Sequence, residues 1–337
     1  MWKLVIRRLL DSVPSVIGVV IVTFLLTRAL PGDPAAYFAG PAASQQAIEE
    51  IRVKLGLSRS LPEQFVLYVR DLARGDLGVS LSTGQPVANE ILSRLPASLE
   101  LTLLGVVLAA LIAIPLGVLA ASRPNSWLDH ACRALTTAGV SLPTFFTGLL
   151  LVYVFYYLLG WAPSPLGRLD PYASAPPGIT HFYLIDSLLA RDLGAFWAAL
   201  TQLALPAITL GLFALAPLAR MTRASMLGTL SSDFVRTARA SGLSRFTVTY
   251  TYAFRNALLP VVTTLGMVFS FLLGSNILVE KVFAWPGIGS FAIEALVASD
   301  YAPVQGFVLT MALLYLMLNL LIDILYNAID PRIGFGK

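Results

Sequence analysis

Charge is scarce in this sequence. Only 12% of its 337 residues are Asp, Glu, Lys or Arg, about half the share of a soluble domain, while 57% are apolar. So few charges cannot cover the surface of a soluble domain of this size. The mean hydropathy of +0.76 makes a bilayer the natural solvent of the chain. The same composition excludes disorder, a collagen-like helix and a coiled coil. A single cysteine, Cys132, excludes an internal disulfide and a thiolate metal cluster. The two histidines, His130 and His181, stand far apart and in no HExxH or HxH pattern, so no metal site is expected. The four lysines, Lys3, Lys54, Lys281 and Lys337, lie in no phosphate-loop pattern. The chain is therefore not read as an enzyme, and any ATP it uses must be hydrolysed elsewhere.

Long apolar runs, by contrast, are plentiful. A helix needs roughly 20 residues to cross about 30 Å of hydrocarbon. Six stretches qualify: Leu9–Leu30, Leu99–Ala121, Ala134–Leu159, Ala198–Ala219, Ala257–Val279 and Val304–Asn327. The runs are continuous rather than alternating, which argues against a strand barrel. No A-x-A-like cleavage site follows the first run, so it is expected as a retained span rather than a signal peptide. With the amino terminus in the cytoplasm, the inside segments hold thirteen basic and five acidic residues, against ten basic and fourteen acidic outside. Most of the outside basic residues lie in one long loop, where the positive-inside rule is weak. The expected fold is an all-α polytopic membrane protein with six transmembrane helices and both termini cytoplasmic. The pI of about 9.2 then reflects topology, and no nucleic acid is expected as a partner.

Two parts are expected along the chain. Residues 1–94 supply the first transmembrane helix and an external amphipathic segment; residues 95–337 supply the remaining five spans. In the external segment Ile48, Ile51 and Leu55 recur at helical spacing before Gly56. Pro62-Glu63 reads as a second helix start, with Phe65, Val69 and Leu72 on one face and Gly75 as the stop. A second external loop, Gly160–Trp197, is rich in Pro, Gly and aromatic residues and reads as irregular chain. A third, Glu280–Pro303, contains Trp285-Pro286-Gly287-Ile288-Gly289, expected as a tight turn.

The inside segment 220–256 is the most informative. Connections this long are uncommon unless they are functional, and this one carries six arginines and one acid. Over 233–243 Phe234, Ala238 and Val235 are the candidates for one helical face, with Arg236 and Arg239 projecting elsewhere. Asp233 suits a helix start, where the dipole favours a carboxylate. Gly242 suits the left-handed position that ends a helix. Such a helix either plugs into a groove on a partner or lies on the anionic inner leaflet.

Polar residues within spans are the other candidates. Asn319, Asp323 and Asn327 recur every fourth residue, and an ionisable group facing lipid would cost at least about 2.5 kcal/mol. They line a translocation path or bond between helices. Ser270 and Asn276 on span five are open to the same two readings. Pro115, Pro143, Pro206 and Pro217 mark bends or hinges. An ion-coupled secondary transporter would need intramembrane carboxylates, and Asp323 is the one clear candidate.

The segment 220–256 resembles the coupling ("EAA") region of ABC importer membrane subunits, through Gly242 and the later Asn256-Ala257-Leu258-Leu259-Pro260. Pro31-Gly32-Asp33-Pro34, Gly75-Asp76-Leu77-Gly78, Trp285-Pro286-Gly287-Ile288-Gly289 and Asp330-Pro331-Arg332 resemble the peptide-importer branch, covering nearly the whole chain. The closest likeness is to the first permease subunit of dipeptide importers. Two positions depart from the wider pattern: Arg236 replaces Glu, and Ser241 replaces Lys. The resemblance implies a type I ABC importer permease core in a bacterial cytoplasmic membrane, importing dipeptides or short oligopeptides. Nickel chelates or glutathione are the alternative cargos. It implies three kinds of protein partner, a second homologous permease, two cytoplasmic ATPases and an external substrate-binding protein, with membrane lipid around them. ATP and Mg would sit on the ATPases, and no cofactor on this chain. It also implies that Asp233, Phe234, Arg236, Thr237, Ala238, Arg239, Gly242 and Leu243 couple to an ATPase. Trp285, Pro286 and Gly287 are candidates for contact with the external protein.

Overall fold

The computed structural model describes residues 2–29, 32–40, 42–139, 141–170 and 172–329. In chain order the helices are α1 (Trp2–Ala29), α2 (Pro34–Ala39), α3 (Gln45–Lys54), α4 (Leu61–Ala73), α5 (Val87–Ser122), α6 (Trp127–Ala138) and α7 (Thr144–Leu151). They continue as α8 (Tyr183–Leu189), α9 (Leu193–Leu230), α10 (Asp233–Ala240), α11 (Arg255–Ser275), α12 (Ile277–Val282), α13 (Ile288–Val297) and α14 (Tyr301–Ile329). Two π-helical stretches, Val152–Leu158 and Thr247–Phe254, extend α7 and lead into α11. Among the described residues the only β pairing is an isolated bridge between Val79 and Pro86.

Among the described residues five helices are long and apolar enough to cross a bilayer: Leu10–Ala29, Val87–Ser122, Leu193–Leu230, Thr247–Ser275 and Tyr301–Tyr326. The expected third span, Ala134–Leu159, is not one helix. α6 ends at Ala138 and α7 starts at Thr144, with Pro143 at its N-cap, which leaves Thr144–Leu158 as a shorter apolar helix. Proline cannot donate the bond that a continuous helix would need there. Pro206 and Pro217, in contrast, sit inside an unbroken α9.

The contacts sort the chain into two compact units, Met1–Ala97 with Pro286–Met317, and Ser98–Trp285 with Leu318–Lys337. In the first unit the two expected surface helices are present. α3 is capped by Ser44 and followed by Gly56. α4 starts with a capping box between Ser60 and Glu63. Phe24 of α1 packs edge-on to Phe65 and stacks on Tyr68 of α4 at 5.1 and 5.8 Å. Asp33 caps α2 through the Ala35 N–H at 3.0 Å and pairs with Arg52 of α3. Asp76 accepts from the Gly78 N–H at 2.8 Å. The family-like motifs 31–34 and 75–78 thus build turns, as far as they are described; Pro31 and Asp330-Pro331-Arg332 lie outside the described residues. Val87, Ile91, Ile288 and Phe291 form this unit's core.

The second unit is organised on α9, sixteen of whose residues are buried. Glycines bring α5 onto it. A Cβ at Gly117 would lie 2.7 Å from Thr222 Cβ and 2.9 Å from the Ala219 carbonyl oxygen, and one at Gly105 would lie 2.9 Å from Leu210 Cβ. Small residues let helix backbones approach closely. Gly117→Val should therefore force the helices apart and cost about 1–3 kcal/mol, measured as a lower melting temperature of the detergent-purified chain.

The loop 160–197 departs from the expectation of irregular chain, because it contains α8 and is anchored by buried charge. Arg168 donates to Glu100 Oε2 at 2.7 Å and to the His181 carbonyl at 2.9 Å, and its guanidinium lies 3.4 Å from the Tyr183 ring centroid. Burial alone would raise the Asp186 carboxyl, but hydrogen bonds from Thr180 and His181 hold it below the usual carboxylate range. The segment 280–303 likewise holds the end of α12 and the whole of α13; the chain is non-helical over 283–287, and Ile288 and Gly289 of the expected turn open α13 instead.

Candidate functional site

Local chemistry sets the ends of α10. Ser232 takes the extended N-cap conformation, and Asp233 falls in the first turn, where the helix dipole favours its charge. At the other end Gly242 has φ +75°. Its N–H bonds to the Arg239 carbonyl at 3.1 Å, and the Leu243 N–H to that of Ala238 at 3.4 Å. This reversal satisfies helix-end carbonyls and needs the left-handed region that glycine enters freely. Ser241, in the place of the family's Lys, bonds back to the Thr237 carbonyl at 3.0 Å.

α10 sits on an apolar seat. Val235 and Ala238 are buried together with Val118, Ala121, Met226, Val248, Ala253 and Ala257. Phe234 corrects the expected face: it is 44% exposed. Both 234/238 and 235/238 satisfy a helical period, and the entry from α9 through only Ser231 and Ser232 turns Val235 inward. The outer face then carries Asp233, Phe234, Arg236, Thr237, Arg239, Gly242 and Leu243, all exposed. Arg236 pairs with Asp233 at 2.9 Å. Leu243 is 39% and Phe246 70% exposed. This face combines exposed apolar side chains with arginines on a segment outside the apolar spans, as surfaces that bind a protein or a membrane do.

Beside this seat lies an ion cluster that the sequence reading missed. Asp129 of α6 is fully buried. It pairs with Arg223 of α9 through both guanidinium prongs, Nε to Oδ1 and Nη2 to Oδ2, the latter at 2.9 Å. Arg133 Nη2 and the Asn125 N–H add bonds at 3.2 and 3.0 Å. Hydrogen bonding from Arg223, outweighing the opposing effect of burial, holds the Asp129 carboxyl at about 2. A carboxyl lowered on folding stabilises the fold above its unfolded value of about 4 and loses that contribution as pH falls towards the folded value. The melting-temperature gap between wild type and Asp129→Asn should accordingly be constant above about pH 5 and shrink below about pH 4. Cys132, on the same helix, is buried, and burial pushes its thiol up.

The other candidates are scattered. Asn276 is 1% exposed at the junction of α11 and α12, and its Nδ2 lies 3.3 Å from both Thr102 Oγ1 and Glu280 Oε1. Ser98 donates to the same Glu280 oxygen at 2.5 Å. Ser270 is half-buried on α11; on α14 Asn319 is exposed and Asp323 half-buried, and the Asn327 side chain lies outside the described residues. Trp285 is 2% exposed, Gly287 is buried, and Pro286 is exposed. The Trp285 N–H bonds to the Glu280 carbonyl at 2.7 Å.

The sequence also matches known proteins along its whole length. The family described as "Binding-protein-dependent transport system inner membrane component" matches residues 113–335, and its N-terminal companion family matches residues 1–102. The chain is 44% identical over 335 residues to a probable D,D-dipeptide transport system permease protein of Escherichia coli strain K12, covering 99% of this chain and 98% of that protein. It is 42% identical over 334 residues to a di/tripeptide transport system permease protein of Pseudomonas aeruginosa, covering 99% of each. To a dipeptide transport system permease protein of Alkalihalophilus pseudofirmus it is 40% identical over 332 residues, 98% of each. With five helices among the described residues long and apolar enough to cross a bilayer, and a capped, arginine-rimmed helix between the third and fourth of them, this chain belongs to the inner membrane components of binding-protein-dependent transport systems.

Proposed function

We propose that the chain is a membrane-spanning subunit of an ATP-driven importer for dipeptides or short oligopeptides. The observation that carries this reading is the outer face of α10: Phe234 and Leu243 stand exposed among arginines on a helix whose opposite side is fixed to the seat. Such a face suits a cleft on a cytoplasmic ATPase, and the peptide cargo follows the named transport of the full-length relatives. Six crossings with both termini inside, Thr144–Leu158 being the sixth, agree with the charge asymmetry of the loops.

In this reading the assembly holds a second, homologous permease, two ATPases that bind ATP and Mg, and an external substrate-binding protein. This chain hydrolyses nothing and binds no cofactor. Closure of the ATPases on ATP moves α10, and the helices fixed to it convert that movement into opening of the path. The test is co-purification from the native membrane with wild-type chain and with Phe234→Glu, followed by uptake of a labelled dipeptide into vesicles holding the purified assembly. The expected result is loss of the ATPases from Phe234→Glu with the second permease retained, and ATP-dependent uptake by wild type alone. Undiminished ATPase recovery with Phe234→Glu would overturn the docking face. Wild-type vesicles that take up no peptide would overturn the cargo.

A further inference from the structure

Among the described residues α6 contributes none to the apolar seat of α10, whose members come from α5, α9, α10, α11 and the π-helical stretch before α11. α9 leads into α10 through two residues, and Met226, Leu227 and Leu230 near its end belong to the seat or pack against it. The base of α9 and α10 are thus one body. Among the contacts of α6 with that body is an ion pair. Arg223 lies three residues before Met226, and it is the residue that Asp129 grips with both carboxylate oxygens.

Packing alone does not call for a carboxylate there. A buried carboxylate costs several kcal/mol unless it is fully paired, and an apolar residue would fill the space more cheaply. What a two-pronged guanidinium–carboxylate pair adds is direction and stiffness. Asp129 is itself pinned from behind by the Asn125 N–H and from its own helix by Arg133. At the far end of α6 the chain again touches α9, since a Cβ at Gly139 would lie 3.2 Å from the Leu212 carbonyl oxygen. Beyond the break at Pro143, α7 packs on α9 and α12.

We propose that Asp129 is a positioning residue for energy coupling: through Arg223 it makes α6 move with the base of α9 and with α10, so that force delivered to α10 reaches α6 and α7. This rests on the coupling role proposed for α10. Without the pair, α10 would move against a loosened α6, and ATP would be spent with less transport.

The test uses the complete assembly in vesicles, with the chain as wild type, Asp129→Asn and Asp129→Glu. Two quantities are read: peptide imported per ATP hydrolysed, and the rate at which N-ethylmaleimide labels Cys132, followed by mass spectrometry of its peptide. Cys132 is the chain's single cysteine and lies 1% exposed one turn from Asp129, so it reports opening of this joint. Loss of one partner of a buried pair should speed labelling by about tenfold or more and lower import per ATP by about fivefold in Asp129→Asn. Asp129→Glu, which keeps the charge, should recover most of the ratio. Wild-type import per ATP in an assembled Asp129→Asn would overturn the proposal, as would equal losses in the Asn and Glu variants. If Asp129→Asn does not assemble, Arg223→Lys, which keeps the charge and loses the fork, carries the same comparison with the same two outcomes. Failure of wild-type assembly to import peptide would count against the proposed function and not against the joint.

Discussion

Val235→Asp should abolish coupling while leaving the membrane helices folded. Val235 is fully buried at the centre of the seat. Removing its side chain from that seat forfeits about 1.5–3 kcal/mol of apolar burial. A carboxylate put there without a partner adds several kcal/mol more. The two effects reach at least about 4 kcal/mol, near a thousandfold in the equilibrium that holds α10 in place. α10 is short and lies outside the apolar spans, and the close approach of α5 to α9 at Gly105 involves none of its seat residues. The expected result is at least a hundredfold drop in ATP-driven dipeptide uptake by the reconstituted assembly, set by that seating loss. The chain should keep its recovery from the membrane. Phe234→Ala provides the contrast, because it removes a contact from the outer face without disturbing the seat. Its expected loss is that of a single interface anchor, about 2 kcal/mol. Equal effects of the two substitutions would refute the division into an inner and an outer face.

Arg168→Ala should be the most damaging single change in the loop 160–197. Arg168 and Glu100 are 8% and 6% exposed and lie 2.7 Å apart. Deleting the guanidinium strands a carboxylate on α5 and frees the His181 carbonyl and the Tyr183 ring. Breaking a buried pair from one side costs about 3–5 kcal/mol, a large part of the 5–15 kcal/mol that holds a typical domain folded. Faster proteolysis between residues 160 and 197 and poor recovery of intact chain are expected. Adding Glu100→Gln should restore part of the loss, because the cost lies mainly in the uncompensated charge. Limited proteolysis of the single and double variants decides it; no recovery in the double variant would show that packing of the arginine stem, not charge, anchors the loop.

The features legible in the sequence were those written in a few neighbouring residues. α3 and α4 announced themselves by apolar spacing and by start and stop residues, and Ser60 and Glu63 form the capping box that such spacing allows. The limits of α10 were legible for the same reason, in Asp233 and Gly242. Its inner face was not, since two helical registers share Ala238 and only the two-residue link from α9 chooses between them. The paired charges were invisible because their partners stand far apart in the chain, 94 residues for Asp129 and Arg223 and 68 for Glu100 and Arg168. Pro143 marked the break between α6 and α7 only as a bend, because Pro206 and Pro217 carry the same signal inside an unbroken α9, and α8 was hidden by the prolines and glycines around it.

Between Thr247 and Phe254 the backbone is wound one residue looser per turn than an α-helix. Val248 and Ala253 in this stretch both reach the seat of α10. Taking a single residue out of it would let the turn close into ordinary α-helix, with α11 keeping its facing beyond. The spacing between α10 and α11 can therefore change by one residue without turning either helix, a tolerance that an α-helical linker of the same length would lack, because one residue there rotates everything downstream by about 100°.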